Sequence, residues 1–173
     1  MSTFLNGIIE KELEVLLGTS IKRIRRASDM AILDFGPNVT TTNYKGNQVA
    51  TSQYALHIQT SFRITNSRKI VLGSSDIYYP KFTEKRVEDF QWDTYGTNLY
   101  DERAELLNDD FKANIVSVQA LSASIFGDLQ ITLSNELVIN IFVQTASGRE
   151  EWRFFETHNN KRHFVITGQG LET

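Results

Sequence analysis

The sequence contains no cysteine, no surplus of basic residues and no long apolar run. Without cysteine the chain has no disulfide, thiolate metal ligand or cysteine nucleophile, and a reducing cytoplasm is the simplest compartment for it. A formal net charge of −3 argues against nucleic-acid binding, which depends on clustered lysine and arginine. A membrane span needs about 18 consecutive apolar residues, and the first residues lack the basic and then apolar pattern of a secretory signal. We therefore expect a cytoplasmic protein that does not enter a membrane.

The hydrophobic content and its periodicity predict one α+β domain. The chain of 173 residues is 40% hydrophobic and 11% aromatic, enough to bury the core of a single domain spanning 1–173. Apolar residues at helical spacing predict an amphipathic helix over 4–17, and Gly18 is placed to end it. Alternating residues predict a β-rich body over 21–80 and 111–168. We expect the N-terminal helix to pack on a mostly antiparallel sheet of about seven to nine strands that is strongly twisted or partly closed.

The C-terminal third has the clearest strand pattern, and two other segments have little pattern. Short connections after residue 115 predict a meander of antiparallel strands, in which 137–144 is a central strand with apolar residues on both faces. Residues 36–53 are polar and rich in threonine, asparagine and glycine, which favours a loop with at most a short strand. Residues 81–110 are charged and aromatic without clear periodicity. We interpret them as an arm or lid, with a helical turn near 101–107.

One strand predicts a polar row that could bind a ligand. Apolar residues from Leu56 to Ile64 alternate with polar residues, so the polar ones recur on one face at about 6.5 to 7 Å intervals. If this face lines a cavity, an arginine in it can hold a carboxylate or phosphate. An aspartate after two serines in the following loop could reach the same row. The candidate ligand-binding residues are His57, Gln59, Arg63 and Asp76, with Ser61 in the same row.

No motif in the sequence establishes catalysis. Ser74 or Ser75 with His57 and Asp76 could form a nucleophile, base and orienting group, but a strained Gly-x-Ser-x-Gly elbow is absent. None of the three histidines has a metal-ligand partner at the spacing that a strand or helix would require. We therefore assign no catalytic residue, no metal and no cofactor.

Aromatic and charged side chains mark a possible interaction surface. Such side chains are enriched at binding hot spots, and rings on a loop lose little rotamer entropy when a partner covers them. The candidates are Trp92, Asp93, Tyr95, Tyr100 and Arg153. We expect a non-catalytic protein that binds a partner protein, and the negative net charge suits a basic partner. The alternative is a small-molecule-binding or hydrolytic domain that uses the face around His57. The sequence leaves the oligomeric state open.

Three stretches from Tyr54 onward, about two thirds of the chain, carry a family resemblance. They are Ala55-Leu56-His57-Ile58-Gln59 continuing to Phe62-Arg63-Ile64, then Gly73-Ser74-Ser75-Asp76-Ile77-Tyr78, and Glu151-Trp152-Arg153-Phe154-Phe155 followed by His163-Phe164-Val165. From Tyr54 onward the chain resembles an uncharacterised family of small bacterial proteins. The resemblance implies a bacterial cytoplasmic protein without an assigned activity. Some such proteins are encoded beside toxins, which suggests an immunity role that neutralises a partner. The resemblance transfers no catalytic residue.

Overall fold

Alternating apolar and polar residues place more of the chain in strands than in helices. The computed structural model describes residues 4–81, 90–159 and 161–172. Within these ranges the strands are β1 (Ile21–Ala27), β2 (Met30–Thr42), β3 (Gln48–Ile58), β4 (Phe62–Thr65), β5 (Ile70–Gly73), β6 (Val118–Ala123), β7 (Leu129–Leu133), β8 (Val138–Ile141), β9 (Glu150–Glu156), β10 (Phe164–Thr167) and β11 (Gly170–Leu171). They form a six-stranded sheet in the order β1-β2-β3-β9-β10-β11 and a five-stranded sheet in the order β5-β4-β8-β7-β6. All of these pairings are antiparallel.

The α+β class predicted from the sequence is confirmed, with two open sheets and two helices. Helix α1 (Leu5–Leu13) continues into a 3₁₀ turn at Glu14–Leu16, which matches the helix predicted over 4–17. Helix α2 (Leu99–Ala113) begins inside the segment interpreted as an arm. The strands divide between two sheets, so the prediction of a single sheet was too simple, and neither sheet closes on itself.

Both sheets and both helices contribute to one hydrophobic core. Leu13 of α1, Phe35 of β2 and Ile139 of β8 are fully buried in the same cluster. Trp152 of β9 is also fully buried, and its indole Nε1 donates a hydrogen bond of 2.9 Å to the carbonyl oxygen of Gly127 in the β6–β7 turn. This bond connects the two sheets across the core and satisfies the single polar atom of the indole.

Helix α2 covers the edge of the six-stranded sheet. The side-chain amide of Asn108 accepts a hydrogen bond of 2.7 Å from the backbone N–H of Ile24 and donates one of 2.8 Å to its carbonyl oxygen, so it satisfies both backbone groups of this β1 residue. Arg26 of β1 forms a bidentate ion pair with Asp101 of α2, at 2.7 and 2.8 Å. Both of these side chains are about 95% buried, at 5% and 4% relative exposure. The helix thus blocks an edge that would otherwise expose unpaired backbone groups.

Two segments differ from the sequence prediction in secondary structure. Residues 36–53 were predicted as loop, but they form most of the β2–β3 hairpin, because threonine and valine favour extended backbone even in a polar segment. The side-chain oxygen of Asn43 accepts from the N–H groups of Lys45 and Asn47 at the hairpin tip. Helix α2 is longer than the helical turn expected at 101–107, and the side chain of Asn98 caps its first turn. Residues 82–89 of the predicted arm lie outside the described residues.

The chain changes sheets twice at one corner of the molecule. Residues 59–61 connect β3 to β4, and residues 142–149 connect β8 to β9. The two crossovers are hydrogen-bonded to each other: Thr60 Oγ1 donates to the carbonyl oxygen of Phe142, and the N–H of Phe142 donates to that of Ser61. The predicted meander is therefore real within β6–β7–β8 and within β9–β10–β11, but β8 does not pair with β9.

Candidate functional site

The polar row predicted on one strand is divided between the two sheets. His57 lies on β3 in the six-stranded sheet, Arg63 lies on β4 in the five-stranded sheet, and Gln59 and Ser61 lie in the crossover between them. Strand pairing places Arg63 beside Asn140, whereas it places His57 beside Arg153. The prediction that His57 and Arg63 share one strand face was therefore wrong.

His57 lies on the outer face of the six-stranded sheet. Side chains at directly paired positions share a face, and the register places Arg25, Ile32, His57 and Arg153 side by side. The ring of His57 meets the ring of Phe155 edge to face, with 4.9 Å between the centroids. Burial, together with the charges of Arg153 and Arg25, lowers the pKa of His57 to about 4. The imidazole is therefore neutral at physiological pH.

A second histidine packs on the same aromatic ring. His163 stacks on Phe155 with 4.0 Å between the centroids. Burial and the charge of Arg153 lower the pKa of His163 as well. Arg153 donates a hydrogen bond of 2.6 Å to Glu150. Arg153 therefore belongs to this outer face, with its charge already paired.

Two arginines on the same outer face share one buried carboxylate. Arg23 and Arg25 of β1 each donate two hydrogen bonds to Asp34 of β2, at distances from 2.9 to 3.2 Å. The carboxylate of Asp34 is 2% exposed, while both guanidinium groups keep contact with solvent. Because two cations meet one anion, this part of the face carries a surplus positive charge.

The remaining ligand-binding candidates do not assemble with His57. The guanidinium of Arg63 lies over the ring of Phe142, 5.3 Å from its centroid. Asp76 accepts a hydrogen bond of 2.8 Å from the N–H of Gly73 and so caps the 3₁₀ turn Ser74–Tyr78. Ser74 accepts a bond from the N–H of Phe62. Among the described residues no hydrogen bond joins His57 to a serine or to Asp76, so these residues do not form the hydrogen-bonded serine, histidine and aspartate set considered from the sequence.

The corner where the chain changes sheets contains a polar cleft of about 400 Å³. Its lining includes Gln59 and residues from both crossovers, from the β1–β2 turn and from the 3₁₀ turn Ser74–Tyr78. Three carboxylates and one guanidinium line it: Asp29, Glu150, Glu151 and Arg149. Because Glu150 is already paired with Arg153, the lining keeps only a small net negative charge.

One of these carboxylates holds the crossover together. Glu151 is 4% exposed, and its carboxylate accepts hydrogen bonds from the backbone N–H groups of Gln144 and Thr145 and from the hydroxyl of Thr145. Burial alone would raise the pKa of Glu151, but hydrogen bonds from the Thr145 hydroxyl and from the two backbone N–H groups outweigh burial and lower it. Glu151 therefore stays ionised and has a structural role, with its acceptor sites already occupied.

Exposed aromatic side chains lie at one side of this cleft and in the loop that precedes α2. Tyr78, Tyr79 and Tyr95 are 54%, 61% and 76% exposed, and the ring of Trp92 packs on Tyr78 with 5.5 Å between the centroids. Tyr78 also lines the cleft. We call Tyr78, Tyr79, Trp92 and Tyr95 the tyrosine surface. Sequence reasoning selected Trp92 and Tyr95 and missed the other two, although two adjacent tyrosines next to a proline were a visible signal.

The backbone under the tyrosine surface is fixed by buried polar side chains. Asn98, fully buried, donates a hydrogen bond of 2.8 Å from its amide to the carbonyl oxygen of Trp92. The carboxylate of Asp101 accepts one of 2.7 Å from the N–H of Gly96 while it also pairs with Arg26. The guanidinium of Arg26 in turn lies 5.7 Å from the centroid of the Tyr95 ring. The rings therefore project from an ordered loop.

Two further candidates from the sequence have different environments. Asp93 is exposed in the same loop as Trp92 and Tyr95. Tyr100 is 3% exposed and packs in the core against Phe62, so its predicted place on an exposed interaction surface was wrong. Burial raises the pKa of its phenol well above the ordinary value. Tyr100 is buried because it lies in the first turn of α2, on the face that packs toward the core.

Comparison with known proteins identifies no family for this chain. The chain matches no protein-family model, and neither the curated proteins nor the solved structures include a similar one. Within the described ranges no group of three or more histidine, cysteine or carboxylate side chains could hold a metal ion. The described helices are too short or too polar to cross a membrane.

Proposed function

We propose that the protein is a non-catalytic binding protein whose tyrosine surface binds a partner protein with a basic surface. The observation that carries the proposal is the exposure of three tyrosine rings on hydrogen-bonded backbone. Asn98 and Asp101 hold the loop of Tyr95, and the N–H of Leu99 donates to the carbonyl oxygen of Tyr79. Tyrosine and tryptophan supply much of the energy at protein interfaces, and a loop that is ordered before binding loses little entropy when the partner arrives. The neutralising role of an immunity-type protein is one form that such binding can take.

The charges beside the tyrosine surface favour a basic partner. Asp93 is exposed in the same loop as Trp92 and Tyr95, and the adjacent cleft keeps two carboxylates, Asp29 and Glu151, against one guanidinium after Glu150 pairs with Arg153. A lysine or arginine of the partner that enters the cleft would meet a negative potential while its neighbours cover Tyr78. Because this attraction is electrostatic, we expect association to slow as the salt concentration rises.

Affinity capture with matched variants tests this proposal. The tagged wild-type chain, the double variant Tyr79→Ser/Tyr95→Ser and the control double variant Ile115→Ser/Phe126→Ser are incubated with extract of the source organism. The control removes two apolar side chains that are 89% and 71% exposed on other elements. We expect a protein that the wild type and the control retain and the tyrosine variant loses.

Calorimetry with the purified captured protein then gives the size of the effect. Truncation of a hot-spot side chain costs about 2 kcal/mol or more, so we expect at least a roughly 30-fold weaker Kd for the tyrosine variant. Circular dichroism checks that all three chains are equally folded. The proposal fails if every captured protein binds the tyrosine variant as well as it binds the control, or if the captured protein binds through an acidic surface.

A further inference from the structure

The polar cleft at the corner where the chain changes sheets has the size of a small-molecule site. Its volume is about 400 Å³, and such sites measure roughly 300 to 1,000 Å³. Four exposed side chains in its lining make no hydrogen bond and no ion pair within the described ranges: Asp29, Gln59, Ser75 and Arg149. The cleft therefore offers polar groups that a ligand can bind without first breaking a bond inside the protein.

The walls of the cleft are held in place by the rest of the lining. The hydroxyl of Thr60 donates a hydrogen bond of 2.6 Å to the carbonyl oxygen of Phe142, and so it ties the two crossovers together. The hydroxyl of Ser61 donates one of 2.7 Å to the side-chain oxygen of Gln144. Ser74 accepts one of 3.2 Å from the N–H of Phe62. Because these bonds exist without a ligand, binding in the cleft costs little ordering of the protein.

The charges and hydrogen-bonding groups of the cleft favour a neutral ligand with many hydroxyl groups. Asp29 offers acceptors, Arg149 offers donors, and the amide of Gln59 offers both. A phosphate or carboxylate would meet the net negative charge of the lining, and a simple cation would leave the donors of Arg149 and Gln59 without a partner. A hydroxyl group donates and accepts at once, so a polyhydroxylated ligand can satisfy all three side chains.

An aromatic ring at the side of the cleft suits the apolar face of a sugar ring. Tyr78 lines the cleft and is 54% exposed, and Trp92 packs against it with 5.5 Å between the centroids. The face of an aromatic ring carries partial negative charge, which attracts the C–H groups on the face of a pyranose. The cleft thus combines a ring for the C–H face with polar groups for the hydroxyl rim.

We propose that this cleft binds a neutral pyranose sugar. The C–H face of the sugar packs on Tyr78, and its hydroxyl groups bond to Asp29, Gln59 and Arg149. This site goes beyond the proposed function, because it needs no partner protein. From the binding energy per atom that is usual for small ligands, we expect a Kd on the order of 1 mM for a single sugar ring.

NMR titration of the ¹⁵N-labelled wild-type chain tests the proposal. The probes are the methyl glycosides of glucose, galactose, mannose and N-acetylglucosamine, each added up to about 50 mM, well above the expected Kd. The chain has two tryptophans. We expect at least one glycoside to shift the indole signal of Trp92 and the side-chain amide signal of Gln59 in a saturable way. The indole of Trp152, which is bonded to Gly127 in the core, should not move.

Matched variants connect the binding to the cleft. Asp29→Ala and Arg149→Met should each weaken the Kd by about tenfold, the loss expected for a hydrogen bond to a charged group. The controls Asp109→Ala and Arg68→Met change exposed charges outside the cleft and should bind as the wild type does. The amide spectrum of each variant checks its fold.

The same titration separates this proposal from the proposed function. Tyr79 and Tyr95 do not line the cleft, so the double variant Tyr79→Ser/Tyr95→Ser should bind the sugar normally even where it loses a partner protein. The sugar site is overturned if no glycoside gives a saturable shift, or if glycerol, which has hydroxyl groups but no ring, gives the same shifts. It is also overturned if N-acetyl-lysine methylamide gives these shifts at lower concentration, since the cleft would then be a site for a cation of the partner.

Discussion

The buried ion pair between Arg26 and Asp101 holds α2 against β1, and its removal should destabilise the protein strongly. Asp101 accepts two hydrogen bonds from Arg26 and one from the N–H of Gly96, so it joins β1, α2 and the loop under the tyrosine surface. The hydrogen bond to Asp101 is also the main reason why the pKa of Arg26 is raised, and burial opposes it. Asp101→Ala leaves a guanidinium buried without its counter-ion.

The expected loss of stability is large for a single substitution. Removing one partner of a buried pair costs about 3 to 5 kcal/mol, because the remaining charge is uncompensated. For a chain of this size that loss lowers the Tm by roughly 10 °C. Urea unfolding measures the free energy of unfolding directly, since urea does not screen charges as guanidinium chloride does.

Two further variants separate the burial of charge from other effects of Asp101→Ala. Asp109→Ala breaks the exposed pair with Lys112, whose side chains are 65% and 73% exposed, and should cost less than about 0.5 kcal/mol. The double variant Arg26→Met/Asp101→Leu removes both charges and should be more stable than Asp101→Ala alone. The reasoning is refuted if Asp101→Ala stays within about 1 kcal/mol of the wild type, or if the double variant is no more stable than the single one.

Two other predictions follow from the structure. A methyl group added in Gly168→Ala would lie 1.8 Å from the carbonyl oxygen of Thr145, so the backbone must move. We expect urea unfolding to show a free energy of unfolding lower by more than about 3 kcal/mol. The control is Gly46→Ala, which has open space at φ +82° and should cost only about 1 kcal/mol. The pKa of His57 is lowered to about 4 from an ordinary value of 6.5, so the unfolded chain takes up this proton first and the free energy of unfolding falls as pH drops from 6.5 towards 4. NMR titration of the imidazole measures this pKa, and His57→Gln should flatten that part of the pH profile; a His57 that titrates near 6.5 would contradict the burial argument.

The sequence predicted those parts of the fold whose hydrophobic period is local. Helix α1 and the hairpin of β6 and β7 follow from apolar spacing and from turn residues such as Gly127, whose φ is +95°. The prediction of a central strand over 137–144 was correct for Val138–Ile141, which is β8 at the centre of its sheet, but residues 142–144 belong to the crossover. Such patterns indicate which face of an element is buried, and each of these elements buries one face in the core.

The sheet changes could not be predicted, because the apolar alternation continues through them. Ile58 ends β3 and Phe62 begins β4, and both are buried, so the period of two passes unbroken from one sheet to the other. In the structure the turn is held by hydrogen bonds from Thr60 and Ser61 to Phe142, and the sequence pattern does not reveal these bonds. Because the chain turns at this corner, the polar row is divided between the two sheets. His57 and Arg63 therefore do not share a site.

Function-related residues were predicted less well, because exposure depends on tertiary contacts. Trp92 and Tyr95 were selected for their ring chemistry and lie at the tyrosine surface, but Tyr100 has the same chemistry and lies in the core. The difference is that Asn98 begins a helix just before Tyr100 and turns that ring inward. A capping asparagine was present in the sequence, but without a clear apolar period after it the helix start was not recognised.

The corner where the chain changes sheets also affects how the protein is made. Strand β3 lies between β2 and β9, and β9 follows it by some ninety residues along the chain. During synthesis at about 5 to 20 residues per second, the edge of β3 that faces β9 therefore stays unpaired for several seconds before β9 leaves the ribosome. Strand β4 likewise waits for β8. Because each sheet is completed by one pairing that is distant in sequence, β3 with β9 and β4 with β8, we expect slow folding with the two sheets completed together, near the end of translation.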